Sequence, residues 1–308
     1  MSADKLSRRT AFSLLLIVIL AWGMTWVVNK AALEYLPPIW ASFLRLPAAF
    51  LLLSALCIAS GRMVVPVKAD IPVIFTVGWL HMVGFSVLVS FGMQYLPAGR
   101  SIVLGYTTPL WVVPAAWLFL GEKPGPRRLL GLVIGMGGLT LILQPASMDW
   151  GNPDTLLGHA LILLAALMWA ICIVYGRAHR FVTPTFELLP WQLLLAGFTQ
   201  LALALYFEGV PQIEWTLELV FLLGYGSVVG TALAYWAMNA VNRGLPASTT
   251  SIALLGVPVV GLLSSKIFLS EPVDSILMIA TALIIFGIAL GATSSKSASK
   301  SQTARRTG

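Results

Sequence analysis

The chain has 308 residues, 58% of them hydrophobic and only 10% charged, whereas a soluble globular domain carries about a quarter charged residues. That balance excludes a water-soluble monomer, and recurrent apolar runs of about 20 residues match a bilayer core crossed by helices. The runs are continuous rather than alternating, which excludes a transmembrane barrel and leaves an all-α integral membrane protein.

In chain order, ten transmembrane helices are expected at 11–29, 39–60, 72–95, 101–120, 127–144, 157–176, 186–207, 217–240, 248–268 and 275–292. Residues 1–10 carry Lys5, Arg8 and Arg9 ahead of the first run. That run continues through Trp22 and Trp26 with no small-residue cleavage pattern, so it reads as an uncleaved span. The breaks carry turn chemistry: Pro37-Pro38, Leu96-Pro97-Ala98-Gly99, Lys123-Pro124-Gly125-Pro126, Asn152-Pro153 and Gly244-Leu245-Pro246. Residues 293–308 are rich in Ser, Lys and Arg and are expected to be a disordered tail. Cys57 and Cys172 both sit inside apolar runs and imply no disulfide framework.

The net charge of +7 is explained by placement. With the N-terminus in the cytoplasm, fifteen Lys and Arg residues fall on the inner side and three, Lys30, Arg100 and Lys266, on the outer side. Arg45 lies within a span. This is a strong positive-inside signal; it puts both termini in the cytoplasm and the chain in the cell inner membrane. The bases face anionic lipid, and no folded basic surface exists for nucleic acid.

The second half repeats the first. A shift of 149 residues carries Leu96-Pro97-Ala98 onto Leu245-Pro246-Ala247, Pro109 onto Pro258, Phe119-Leu120 onto Phe268-Leu269, Glu122 onto Glu271 and Gly138 onto Gly287. Nearer the start of each half the shift is 147, carrying Trp22 onto Trp169, Lys30 onto Arg177, Pro37 onto Pro184 and Arg45 onto Gln192. Each half, 11–144 and 157–292, holds five spans. Five is odd, so the second copy enters the membrane from the opposite side, as in inverted-repeat secondary transporters.

The segment from Pro109 to Phe119-Leu120-Gly121-Glu122-Lys123-Pro124, repeated as Pro258 to Phe268-Leu269-Ser270-Glu271-Pro272, resembles the signature of EamA-type transporters of the drug/metabolite transporter superfamily. The surroundings of Trp22 and Arg45 are similar to that family's first repeat. The resemblance covers about residues 11–292. It implies ten spans in two inverted five-helix repeats and movement of small metabolites such as amino acids, without fixing one substrate. Ser270 replacing Gly121, and Gln192 replacing Arg45, leave the paired positions unequal.

Pro109 and Pro258 each remove a backbone donor mid-span and kink the helix, as a hinge on a central path or as a static bend. Glu122 and Glu271 are expected to tether helix ends. Arg45 is costly within a span; it either snorkels, binds a substrate carboxylate or pairs with another helix. His81 is a cavity hydrogen-bonder, a proton site or a packing residue. Trp22, Tyr106, Thr107, Thr108, Trp111, Trp169, Tyr175, Tyr235, Trp236 and Asn239 form an aromatic and polar set suited to amphipathic ligands and organic cations. Trp26, Trp40 and Trp150 fit an interfacial belt. Gly131-x3-Gly135 and Gly287-x3-Gly291 are close-packing motifs, within the chain or at a dimer face.

Every Asp and Glu falls at a span end or in a loop, which argues against proton coupling through a buried acid. No metal, phosphate-loop or paired catalytic motif occurs, so no cofactor, metal or enzyme activity is expected. The reading is a secondary transporter exporting a small metabolite by alternating access, as a monomer or homodimer. The cavity would be lined by spans one, three, four, six, eight and nine. A non-transporting membrane receptor or scaffold, and a channel, are the alternatives.

Overall fold

A computed structural model describes residues 7–143, 151–245, 249–250 and 253–293, and every regular element among them is helical. Lys5, Trp150, Pro246 and the tail beyond Thr293 lie outside the described residues. In chain order the helical rods are α1 (Arg8–Ala32), α2 (Pro38–Ala59), α3 (Lys68–Tyr95), α4 (Ala98–Leu120), α5 (Pro126–Ile142), α6 (Pro153–Ala178), α7 (Thr185–Phe207), α8 (Leu217–Gly244), α9 (Gly256–Phe268) and α10 (Ser275–Thr293). Eight of them are long and apolar enough to cross a membrane. The other two, α5 and α9, have 17 and 13 residues. Helical residues 249–250 and 253 precede α9. The protein is therefore a multi-pass membrane protein.

Three rods break beside a proline, while Pro114 and Pro190 sit inside helix without a break. Pro47 cannot donate to the carbonyl of Phe43, and α2 breaks at Leu44–Arg45. Pro109 cannot donate to Gly105, and α4 breaks at Tyr106–Thr107. Pro258 likewise cannot donate to Leu254, and the break at Leu254–Leu255 falls one residue further from its proline, with Val257 N–H donating to the Leu254 carbonyl at 3.0 Å. Thr108 Oγ1 takes over from the donor that Pro109 lacks, reaching the Gly105 carbonyl at 2.8 Å, and beside the α2 break Arg45 Nε donates to the Ser42 carbonyl at 3.3 Å.

Two rods depart from the regular helices expected of 72–95 and 217–240. Their middles, Val77–Phe85 in α3 and Tyr225–Leu233 in α8, are π-helical and nine residues long. Such wide turns are rare and concentrate at functional sites. Side chains brace both: Gln200 Nε2 donates to the Met82 carbonyl at 2.7 Å, and Thr231 Oγ1 to the Gly226 carbonyl at 2.8 Å.

Packing follows a pattern that is preserved when the halves are exchanged. Rod α1 packs on α8 and α9, while α6 packs on α3 and α4; α2 meets α8, while α7 meets α3; α5 meets α10. The last pair is the closest. A Cβ added at Gly131 would lie 2.3 Å from the Gly287 carbonyl oxygen, and one at Gly138 2.8 Å from that of Ala280. These two contacts are partners under the 149-residue shift. The glycine motifs thus bring α5 and α10 of one chain together.

Carboxylates hold the helix starts. Rods α2 and α4 follow Pro37 and Pro97, which provide no side-chain cap. Glu208 accepts from the Ile39 and Trp40 N–H groups at 2.9 and 3.1 Å, and Glu271 from those of Ala98 and Gly99 at 2.7 and 2.9 Å. The fully buried Asp70 accepts from Val182 and Thr183 N–H and contacts His179 Nε2 at 3.0 Å. Glu122 pairs with Arg177 at 2.7 Å. Lys30 Nζ donates to the Met93 and Leu96 carbonyls at the end of α3, where the helix dipole favours a cation.

The two tryptophans expected in an interfacial belt that fall among the described residues are packed inside the protein. Trp26 is 7% exposed and Trp40 is 8% exposed. Packing against Phe85 holds the first, and Trp40 Nε1 donates to the Gly209 carbonyl at 2.8 Å.

After α4 and α9 the chain turns in the left-handed region, at Gly121 with φ +67° and at Ser270 with φ +52°. The following N–H folds back in both, Glu122 onto Ala116 O at 3.2 Å and Glu271 onto Ser265 O at 3.3 Å. Serine is strained there and glycine is not. Ser270→Gly is expected to raise stability by about 0.5–1 kcal/mol, after the greater freedom of the unfolded glycine is discounted, read as a higher unfolding midpoint in detergent. Gly287→Val should lower it by about 3 kcal/mol or more, because backbone rather than a flexible side chain blocks the new atoms. Gly137→Ala, which meets nothing within 4 Å, should be neutral or stabilising by up to about 1 kcal/mol.

Candidate functional site

The helix irregularities meet around one cavity of about 290 Å³. The proline break in α2 sets Arg45 on its wall, and the break in α4 sets Tyr106 there. The π-helical turns contribute His81, Met82 and Phe85 from α3 and Gly230 and Thr231 from α8. Rod α1 adds Trp22, Thr25, Trp26 and Asn29; α6 adds Trp169; α7 adds Leu193; and α8 adds Tyr235. The expected lining by spans one, three, four, six, eight and nine changes accordingly. Rods α2 and α7 take part, and among the described residues α9 contributes none.

Seven aromatic rings stand on the wall, that of His81 included. The His81 ring stacks on Trp169 with centroids 5.3 Å apart and planes at 28°. Phe85 lies 5.4 Å from His81 and 5.2 Å from Trp169, and Tyr106 meets Trp169 edge-on at 6.0 Å. Trp26 meets Phe85 edge-on at 6.3 Å, and Trp22 meets Tyr235 at 6.2 Å. Trp22 and Trp169, partners under the 147-residue shift, therefore stand on one cavity.

One corner is polar. Terminal nitrogens of Arg45 donate to Asn29 Oδ1 at 3.4 Å and, in a short contact, to Ser86 Oγ. Ser86 in turn hydrogen-bonds the buried Ser42 hydroxyl. Arg45 thus points into the cavity instead of reaching back to the span end. Among the described residues, no Asp or Glu lies within ion-pair distance of it or lines the cavity.

The structure brings together Trp22, Arg45, His81, Tyr106, Trp169 and Tyr235 of the residues singled out in the sequence. Thr108, Trp111, Trp236 and Asn239 do not line this cavity. Thr108 is spent on the Gly105 carbonyl opened by Pro109, with the Ala166 carbonyl at 3.3 Å. Trp111 Nε1 donates to Thr107 Oγ1 at 3.1 Å. Trp236 follows Tyr235 by one residue, about 100° around a helix, and is 38% exposed. Asn239 is half-buried further along α8. Pro109 and Pro258 lie outside the wall and act through the breaks they impose. Pro258 instead borders a separate void of about 10 Å³ against Tyr106.

Sequence reasoning missed Asn29, Ser86 and Thr231. Each is a polar residue inside an apolar run, which is a usable signal, but their convergence depends on helix rotation. Among the described residues, no group of three His, Cys, Asp or Glu side chains is arranged to hold a metal ion.

The profile of the EamA-like transporter family matches residues 9–144 and again 156–293. The chain belongs to the EamA-like transporter family. It is 28% identical to the "Uncharacterized transporter YoaV" of Bacillus subtilis (strain 168), covering 88% of this chain and 92% of that protein. It is 29% identical to the same organism's "Uncharacterized transporter YvbV" over 94% and 93% of the two chains. It is 26% identical to the "Uncharacterized inner membrane transporter YedA" of Escherichia coli (strain K12) over 91% and 89%. A solved crystal structure shares the fold with a TM-score of 0.67 and 19% identity, over 92% of this chain and 96% of the other. Family and relatives support a role as a transporter embedded in a membrane, acting on a small molecule.

Trp169 touches three other rings, so Trp169→Ala removes packing on every side. Because the residue is half-buried, the loss is expected at about 2–3 kcal/mol, below the 3–5 kcal/mol of a fully buried aromatic. Trp236→Ala should cost less than about 1 kcal/mol. Thermal unfolding of the two variants in detergent checks the difference.

Proposed function

We propose that this member of the family is a secondary transporter that exports small metabolites, such as amino acids or amphipathic compounds, by alternating access. The observation that carries the reading is the cavity itself. Rods of both halves build it, the paired Trp22 and Trp169 stand on it, and it opens where the helices are least regular. At about 290 Å³ it sits near the lower end of ligand pockets, about 300–1,000 Å³.

On this reading all ten rods cross the membrane, in two inverted five-helix repeats over 11–144 and 157–292. The exchange-symmetric packing supports that arrangement, as does the identical fold-back at Gly121 and Ser270. Two related halves can rock about the cavity and present it to either side, and a ligand stabilises whichever state it contacts more. The charge asymmetry of the loops supports cytoplasmic termini in the cell inner membrane. The α5 and α10 glycine faces are used within the chain, which supports a monomer.

Flux across proteoliposomes, measured over a panel of amino acids and amphipathic metabolites, tests the proposal. Transport of at least one panel member is expected, with Trp22→Ala and His81→Ala each lowering it about tenfold, which corresponds to about 1.4 kcal/mol at the site. Absence of flux for the whole panel from folded protein would overturn the transporter reading. Normal flux in both variants would overturn the site.

A further inference from the structure

Resting on that reading, we infer that the transported compound is a small amphipathic organic anion: an apolar, preferably aromatic, body carrying one carboxylate-type group and no ammonium group. The anionic end would dock on the Arg45, Asn29 and Ser86 corner, and the apolar body would lie against Trp169, Phe85 and Tyr106.

Charge inventory carries the inference. Arg45 is the one charged side chain on the described wall, and its contacts are all neutral. Three of its five N–H donors are engaged, two of them in long contacts of 3.3 and 3.4 Å. A guanidinium set in an apolar wall without a counter-ion is expensive, and a carboxylate offers the planar, two-pronged partner that it lacks. The wall has no acid to receive an ammonium group. A zwitterion would set its ammonium end against ring faces with no carboxylate to neutralise it, and a pure cation would be repelled by Arg45.

The inventory also bears on driving force. Moving an anion past a fixed Arg45 carries net negative charge in each cycle. A cell interior negative to the outside pushes such an anion outward, so export needs no coupling ion. This agrees with a wall that lacks a carboxylate to shuttle protons. At equilibrium a tenfold ratio of a monovalent anion corresponds to about 59 mV.

Three probes that share one ring separate the charge classes: 3-phenylpropionate, phenylalanine and 2-phenylethylamine. Binding is read by quenching of the tryptophan fluorescence of the full chain in detergent. Flux is read as current in proteoliposomes under imposed potentials of either sign, with protein-free vesicles subtracting passive leak. Phenylpropionate is expected to bind at least tenfold more tightly than phenylalanine, with no response to the amine, and to give a current that reverses with the potential. Arg45→Gln should weaken phenylpropionate binding at least tenfold while its unfolding midpoint stays within a few degrees. Arg45→Lys, which keeps the charge without the fork, should recover part of the loss.

Binding or flux of the amine or of phenylalanine at the level of the acid would overturn the anion assignment and leave the transporter reading standing. So would unchanged phenylpropionate binding in folded Arg45→Gln. Arg45-dependent binding of the acid with no flux of any probe would uphold the site and overturn transport. Failure of phenylpropionate to bind at all would overturn the inference.

Discussion

In an apolar environment every backbone N–H and C=O must find a partner within the protein, and this constraint organises the molecule. A run of straight helices would satisfy it automatically. This chain instead places Pro47, Pro109 and Pro258 inside α2, α4 and α9, and each removes a backbone donor. Thr108 answers the Gly105 carbonyl that Pro109 leaves, Val257 N–H reaches that of Leu254, and the Arg45 guanidinium bonds the Ser42 carbonyl beside the α2 break. Helix starts that follow Pro37 and Pro97 have no local cap, and carboxylates from distant loops, Glu208 and Glu271, supply one. Glu208 and Glu271 at the rod ends are thus tied into the backbone ladder.

The cavity follows from the same irregularities. A straight helix presents side chains evenly around its axis and packs to native density against its neighbours. A proline break or a π-helical turn rotates the following segment and spoils that fit locally. Breaks in α2 and α4 and wide turns in α3 and α8 all converge on one space, so the space stays open. Aromatic rings then line it, because large flat side chains can span a gap that Leu and Val cannot. Their mutual edge and stacking contacts hold the wall without filling its interior.

Much of this was legible in the sequence, and the misses have physical causes. Apolar run length located nine rods to within four residues at each end, whereas α9 begins at Gly256, eight residues later than expected. The paired Pro, Trp and Glu positions stood out against an apolar background in which other matches are cheap. Tyr106 and Trp169 were recognisable as site candidates, but Thr108, Trp111 and Trp236 belong to the same stretches and do not line the cavity. One residue of helix rotation separates Tyr235 from Trp236, and no pattern of polarity fixes that rotation when the outside is lipid. The π-helical turns left no trace in composition, since Val77–Phe85 and Tyr225–Leu233 read as ordinary apolar helix. Trp26 and Trp40 looked interfacial because tryptophan often is. In the fold, one lines the cavity and the other bonds to Gly209, since an indole N–H also serves as a buried donor.

The halves are alike in frame and unlike in charge, and the difference has mechanistic content. Where α2 carries Arg45, the 147-residue shift lands on Gln192 of α7, a neutral and buried side chain. All hydrogen-bonding partners of Arg45, namely Asn29, Ser42 and Ser86, come from the first half. Trp169, Leu193 and Tyr235 come from the second. A symmetric frame supplies two rocked states of similar energy, as the proposed cycle requires. An asymmetric lining gives the cavity one charged end, so an anionic ligand would keep one orientation while the halves move around it. Gln192 does not line the cavity, so the charged anchor has no counterpart from the other half. Without the arginine, that corner would keep only neutral groups such as Asn29 and Ser86, and the charge of a ligand would go unread. On the proposed reading, a single arginine in a duplicated frame therefore gives the carrier ligand polarity without disturbing the balance between its two states.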